Sequence, residues 1–162
     1  MKTFFLPTMI VAFLMLSAYS AQAQTNLNQT ELMKQIIGSW KGDLGKDTSA
    51  LWEVKSVGTG LESDYKVVTK GKMVTETKQL YGYDKKIDKY LGANLVNGMD
   101  IEIWAGWFTA NNKFVFIPYS DIANPQKASI KIEGEFKSPD VYKETYINNG
   151  KPIRTDTYTR TK

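Results

Sequence analysis

The sequence contains no cysteine and no histidine. Without cysteine there is no disulfide, no thiol nucleophile and no thiolate metal site, so the folded chain depends on its core. Without histidine the commonest general base and the commonest transition-metal ligand are both missing. Clustered charge is missing too. The formal net charge is +4, from 21 Lys+Arg against 17 Asp+Glu, but the lysines alternate with Asp, Glu and Thr. A nucleic-acid binder needs a basic stripe, so nucleic acid is excluded as a partner and the charges read as a solvated surface. Catalytic signatures are lacking as well: no Gly-x-Ser-x-Gly, no phosphate loop, no dinucleotide fingerprint.

What is present begins with a leader. Lys2 is the only charge before the apolar run at residues 9–16, and Ala21-Gln22-Ala23 follows it. A spanning helix needs ~20 apolar residues, and this run is far shorter. A basic start, a short apolar centre and an Ala-x-Ala site predict a secretory signal peptide over 1–23, cleaved after Ala23. No cysteine follows the run, which excludes a bacterial lipid anchor. The expected product is secreted or periplasmic, has no membrane span when mature, and forms one domain over 24–162. A chain of that length can bury a single barrel core.

Residues 24–28 form a leader that is polar apart from Leu27. Asn28 is placed to cap a helix, with Glu31 three residues on, and Asn28-Gln29-Thr30 also forms a sequon that matters only in a eukaryotic secretory pathway. Leu32, Met33, Ile36 and Ile37 share one helical face, and Gly38 ends the helix. After Gly38 the period changes to two. Ten strands are expected, over 39–44, 50–57, 61–70, 72–81, 89–96, 100–109, 113–118, 127–136, 141–147 and 152–161. Gly58-Thr59-Gly60, Asn97-Gly98 and Asn149-Gly150 supply the turns. Short turns and the absence of any strand–helix–strand spacing predict an all-β, antiparallel, up-and-down barrel.

The eighth strand has a dry face of Ala128, Ile130, Ile132, Gly134 and Phe136 and a wet face of Ser129, Lys131, Glu133 and Glu135. The sixth is apolar on both faces, with Ile101, Ile103 and Trp107 on one side and Trp104 and Phe108 on the other. Its outer face therefore needs cover, from the N-terminal helix or from a partner.

Gly38-Ser39-Trp40 at the entry to the strands, together with Arg160 on the closing strand, resembles the lipocalin and wider calycin family. The resemblance implies a barrel closed at one end by Trp40, with Arg160 packed across the indole. Closure of ten antiparallel strands pairs the first with the last and brings residue 40 to residue 160. Gly38, Trp40 and Arg160 are thus the expected structural set. Ten strands exceed the eight of true lipocalins and match fatty-acid-binding proteins, whose helical pair between the first two strands is absent here. The missing histidine excludes the histidine-ligated haem of related ten-stranded barrels, and no cofactor or metal is expected.

Strand parity places Trp52, Tyr65, Trp107 and Phe116 inside. Each alone reads as ordinary core; together they read as the lining of a cavity for one small ligand. If Arg160 points inward, Tyr158, Asp156 and Arg154 share its face, and Arg154 with Tyr158 would grip a carboxylate. The opposite parity turns Ile153, Thr155, Thr157 and Thr159 inward instead. Residues 119–126 form a long connection at the expected mouth, where a loop can act as a lid. The acidic connection 82–88 lacks calcium-loop spacing. The leading expectation is a secreted barrel that binds a small apolar or amphiphilic molecule. Two rivals are a non-catalytic envelope interaction module with a filled barrel, meeting an envelope protein or a second copy, and a lipocalin-fold isomerase or cyclase. No carboxylate pair stands out for the last.

Overall fold

The computed structural model describes residues 27–161. The expected signal peptide and its cleavage site lie outside the described residues. Asn28 caps the first helix, α1 (Gln29–Met33), accepting from the Glu31 amide. A 3-10 turn, Lys34–Ile36, extends it. The chain then enters ten strands: β1 (Gly38–Gly45), β2 (Thr48–Val57), β3 (Gly60–Thr69), β4 (Lys72–Asp84), β5 (Lys89–Val96), β6 (Asp100–Ala110), β7 (Lys113–Pro118), β8 (Ile130–Ser138), β9 (Val141–Asn148) and β10 (Lys151–Arg160). Every sequential pair is antiparallel, and β1 pairs with β10 to close the barrel. The fold class read from the period-two pattern is therefore the fold observed.

One end of the barrel is plugged. Trp40, 1% exposed, sits among Phe136, Tyr142, Phe108 and Phe114, with Met33 and Ile36 contributed by the helical segment. Trp40 meets Tyr142 edge-on at 4.9 Å, a favoured aromatic geometry. Gln29 ties the helix to the barrel: its Oε1 accepts from the Phe108 amide at 2.7 Å and its Nε2 donates to the Phe108 carbonyl at 3.1 Å. A bulge between Phe108 and Ala110 breaks the β6–β7 register just beyond this contact.

Trp40 and Arg160 are register partners on β1 and β10. The Arg160 guanidinium lies 4.1 Å from the Trp40 ring centroid. It also donates to the carbonyls of Ile37 (2.6 Å) and Gln35 (3.0 Å), which the end of a helix leaves without partners, and to Pro139. Gly38 adopts φ +133°, and a Cβ there would strike the Arg160 guanidinium. Glycine is thus required both by the backbone and by the cation above it.

Four other inward glycines seat aromatic rings. Tyr158 covers Gly42, Tyr81 covers Gly92, Phe116 covers Gly106 and Phe114 covers Gly134. Gly42–Tyr158, Tyr81–Gly92, Gly106–Phe116 and Phe114–Gly134 are each direct cross-strand pairs. A large ring beside an absent side chain fills the curved interior without crowding.

Two expectations fail on the β6–β8 side. The eighth strand starts at Ile130, because Pro125–Lys127 forms a 3-10 turn instead. Residues 119–128 fold back on the outer wall, where Ile122 and Ala128 pack with Ala105, Val115 and Ile117. This segment, not α1, covers part of the outer face of β6, while Ile101 and Ile103 beyond it are 71% and 46% exposed. The segment is therefore a flank of the wall and not a lid.

The wall itself is uneven. β7 has six residues against eleven in β6. It pairs with β6 only as far as Trp104 and with β8 only as far as Ile132. Residues 100–103 of β6 and 130–131 of β8 rise past it without a β7 neighbour, and the rim is notched there.

Candidate ligand cavity

Above the aromatic plug the barrel is open. A cavity of about 360 Å³ begins at Met33 and Ile36 and is walled by Trp52, Tyr65, Tyr81, Trp104, Phe116 and Tyr142. This volume falls within the ~300–1,000 Å³ usual for small-molecule sites. Residues of seven further positions give it a polar side, chiefly Ser63, Gln79, Asn94, Glu144 and Tyr146, with Glu102 at the notch.

Alternation explains which side chains arrive. On β2, Trp52 and Val54 face in; on β3, Leu61, Ser63 and Tyr65; on β4, Thr77, Gln79 and Tyr81. Most of the polar groups are tied to each other. Gln79 Oε1 accepts from Ser63 Oγ (2.6 Å) and Trp52 Nε1 (3.1 Å). Tyr81 donates to Asn94 Oδ1 at 2.9 Å, and burial pushes the Tyr81 hydroxyl well above the ordinary phenol range. Trp104 Nε1 donates to Glu102 at 3.0 Å.

The β9–β10 wall is different. Tyr142, Glu144 and Tyr146 face in from β9; Arg154, Asp156 and Tyr158 face in from β10, paired with them as Tyr146–Arg154, Glu144–Asp156 and Tyr142–Tyr158. Two carboxyl groups are thus cross-strand neighbours inside the barrel. Asp156 is buried, and its Oδ2 lies 2.9 Å from Arg154 Nε, off the hydrogen-bonding direction. Burial raises the Asp156 pKa above the ordinary value. Glu144 lines the lumen and accepts from the Tyr146 hydroxyl at 3.1 Å. Burial, with Asp156 adding repulsion, raises its pKa to about 7. The Tyr142 hydroxyl is buried without a hydrogen-bond partner among the described residues.

Of the residues expected to contact ligand, the structure brings Trp52, Tyr65 and Phe116 to the cavity. Trp107 faces outward, beneath Lys89 (4.3 Å from the ring centroid) and against the outer cluster. The inward partner on that strand is Trp104. Parity misplaced Trp107 because both faces of β6 are apolar and alternation there carries no sign. Arg154 shares the inward parity of Arg160 but stands half-exposed at the rim, stacked 4.0 Å over the Tyr146 ring. Tyr158 is fully buried behind the lumen, stacked on Tyr142 at 4.8 Å, with its hydroxyl 3.3 Å from that of Tyr65. Arg154 and Tyr158 do not form a paired carboxylate grip.

Sequence reasoning missed Glu144, Tyr146, Tyr81, Gln79 and Trp104. Tyr142, Glu144 and Tyr146 do stand at alternate positions, a signal that a carboxylate shares a face with two aromatics. Its partner was hidden by a bulge between Pro152 and Arg154, which leaves Ile153 unpaired and advances the β10 register by one. Comparison with protein-family models and with curated proteins gives no match for this chain.

Proposed function

We propose that this barrel binds a small, largely apolar or amphiphilic molecule in its interior, as a lipocalin-like carrier or sequestering protein exported through a cleaved leader. The observation that carries this is the cavity above the plug, mostly aromatic and aliphatic in lining and open at a notched rim. The Gly38–Trp40–Arg160 arrangement supports the calycin likeness, and the charge and apolar pattern of residues 1–23 supports export. An apolar fluorescent probe added to the purified protein is expected to quench emission from Trp52 and Trp104, and small apolar molecules should displace it. A protein that binds no such probe would overturn the reading. Mass spectrometry of the exported protein is expected to show Gln24 as its first residue.

Each rival reading draws on one observation. Leu80, Ala93 and Ile103 align across β4, β5 and β6 on the outer surface, beside Leu95 and Ile101. Leu80 is 60% exposed. Such a stripe suits a protein partner, either an envelope protein or a second copy, and sedimentation at high concentration tests the second copy. The Glu144–Asp156 pair suits proton transfer, which would show as turnover lost in Glu144→Gln while probe binding persists.

A further inference from the structure

The charge around the cavity says which polar group a ligand brings. Among the described residues, Glu144 and Glu102 line the lumen and no lysine or arginine does. The nearest cation among the described residues, Arg154 at the rim, is engaged by Asp156 and by the face of Tyr146. An arriving carboxylate or phosphate would therefore meet Glu144 with no free cation to offset it. Glu144 itself is incompletely used. Its Oε2 takes the Tyr146 hydroxyl, the Tyr158 hydroxyl lies close by, and the carboxylate still faces the open lumen. A carboxylate held this deep without a cation is costly, and a glutamine would serve a purely structural role more cheaply. Aromatic rings surround the position: Tyr146 and Tyr142 beside it, with Tyr65 across the lumen. Ring faces and a carboxylate together are the chemistry that holds an organic cation.

We propose that the cavity selects an organic cation, a small aromatic or alkyl amine whose ammonium group is held by Glu144. This rests on the reading of the barrel as a binding protein and narrows it to a ligand class. The ammonium meets the Glu144 carboxylate and neighbouring ring faces, and its apolar body fills the space toward Met33, Trp52 and Phe116. Binding strengthens as Glu144 ionises. The groups that face it are Tyr142 and Tyr146 on its own strand; Arg154, Asp156 and Tyr158 on β10; Tyr65, Tyr81 and Glu102 across the lumen. β8 contributes only Ile132 and Gly134 beside it. Asp156 sits beside Arg154, and Glu144 is the carboxylate of the pair that lines the lumen.

The test is calorimetric titration of the full mature protein with naphthylethylamine, naphthylethanol and naphthylacetic acid, at pH 5.5 and pH 8. The amine is expected to bind best, with an affinity roughly tenfold higher or more at pH 8, a tenfold change corresponding to one unit of pKa linkage. The alcohol should bind equally at both. In Glu144→Gln the amine should fall to the level of the alcohol and lose its pH dependence. If that variant does not fold, the wild-type series decides alone. An alcohol equal to the amine at pH 8, or an acid that binds best, overturns the cation assignment and leaves the binding reading intact. Failure of all three, together with failure of an apolar probe, overturns both.

Discussion

At the scale of single residues, two side chains have opposite relations to charge. Arg160 is a cation each of whose three nitrogens donates to a carbonyl, those of Ile37, Gln35 and Pro139, while its face lies on the Trp40 ring. Its removal forfeits a partly desolvated cation–π contact and strands carbonyls, so Arg160→Ala is expected to cost about 2–3 kcal/mol in urea denaturation. Arg160→Lys should recover only part, because an ammonium cannot span those acceptors. Trp40→Ala should cost ~3–5 kcal/mol as a large core truncation. Neither change should abolish probe binding at the far end, and an Arg160→Ala variant that melts like wild type would contradict the account. Glu144 is the reverse case, a charge with little to offset it. Its carboxyl is raised on folding from the model-peptide value of 4.5 to about 7. Between those values the folded protein holds a proton that the unfolded chain has released. Its contribution is therefore complete below about pH 4.5 and is lost as pH rises through 7, a loss of up to about 3 kcal/mol. Asp156, shifted in the same direction, adds to the slope. Urea melts at pH 5 and pH 8 should show the decline in wild type and a smaller one in Glu144→Gln; identical slopes would refute it.

At the scale of elements, strands facing one dry and one wet environment were legible, and those apolar on both sides were not. From Ile130 to Phe136 β8 reads correctly, because Lys131, Glu133 and Glu135 mark its outer face, while Ala128, expected on its dry inner face, packs on the outer wall instead. β6 does not, because residues 119–128 dry part of its exterior and remove the polar marks that would have oriented Trp107. The helix cap at Asn28 and the contact of Arg160 with Trp40 followed from local chemistry and from closure. The Glu144–Asp156 pair did not, since one unpaired residue at Ile153 decides which side chains of β10 oppose β9. Four glycines inside the strands, Gly42, Gly92, Gly106 and Gly134, were the other silent signal: each marks where a neighbour's ring lies. Gly106→Val is a direct probe. Its side chain would collide with Phe116 and drive that ring toward the lumen, costing roughly 1–3 kcal/mol as overpacking. It should weaken apolar-probe binding more than Gly82→Ala, where a Cβ meets nothing and the backbone is not left-handed. Equal effects on binding would refute the seat.

At the scale of the whole molecule, the interior is built around phenols. Burial is the leading cause of the raised pKa of Tyr65, Tyr81, Tyr142, Tyr146 and Tyr158. Because the folded state keeps these protons past the pH at which an unfolded chain loses them, stability falls as pH rises through 10. Absorbance titration should therefore show their ionisation only together with loss of tertiary structure, in one cooperative step; a gradual titration in a folded protein would show the interior to be wetter than described. The pairing of β1 with β10 has a further consequence, in time rather than in energy. The carbonyl of Ile37 and the guanidinium that satisfies it are 123 residues apart. A chain emerging from its N-terminus therefore makes Trp40 early and holds it without its partner until nearly all the rest has been delivered. Up to that moment nine strands form at best an unrolled sheet with two bare edges, and the loop that must close is among the longest the chain offers. A barrel of this topology closes as a late, single event, once nearly the whole chain has been made.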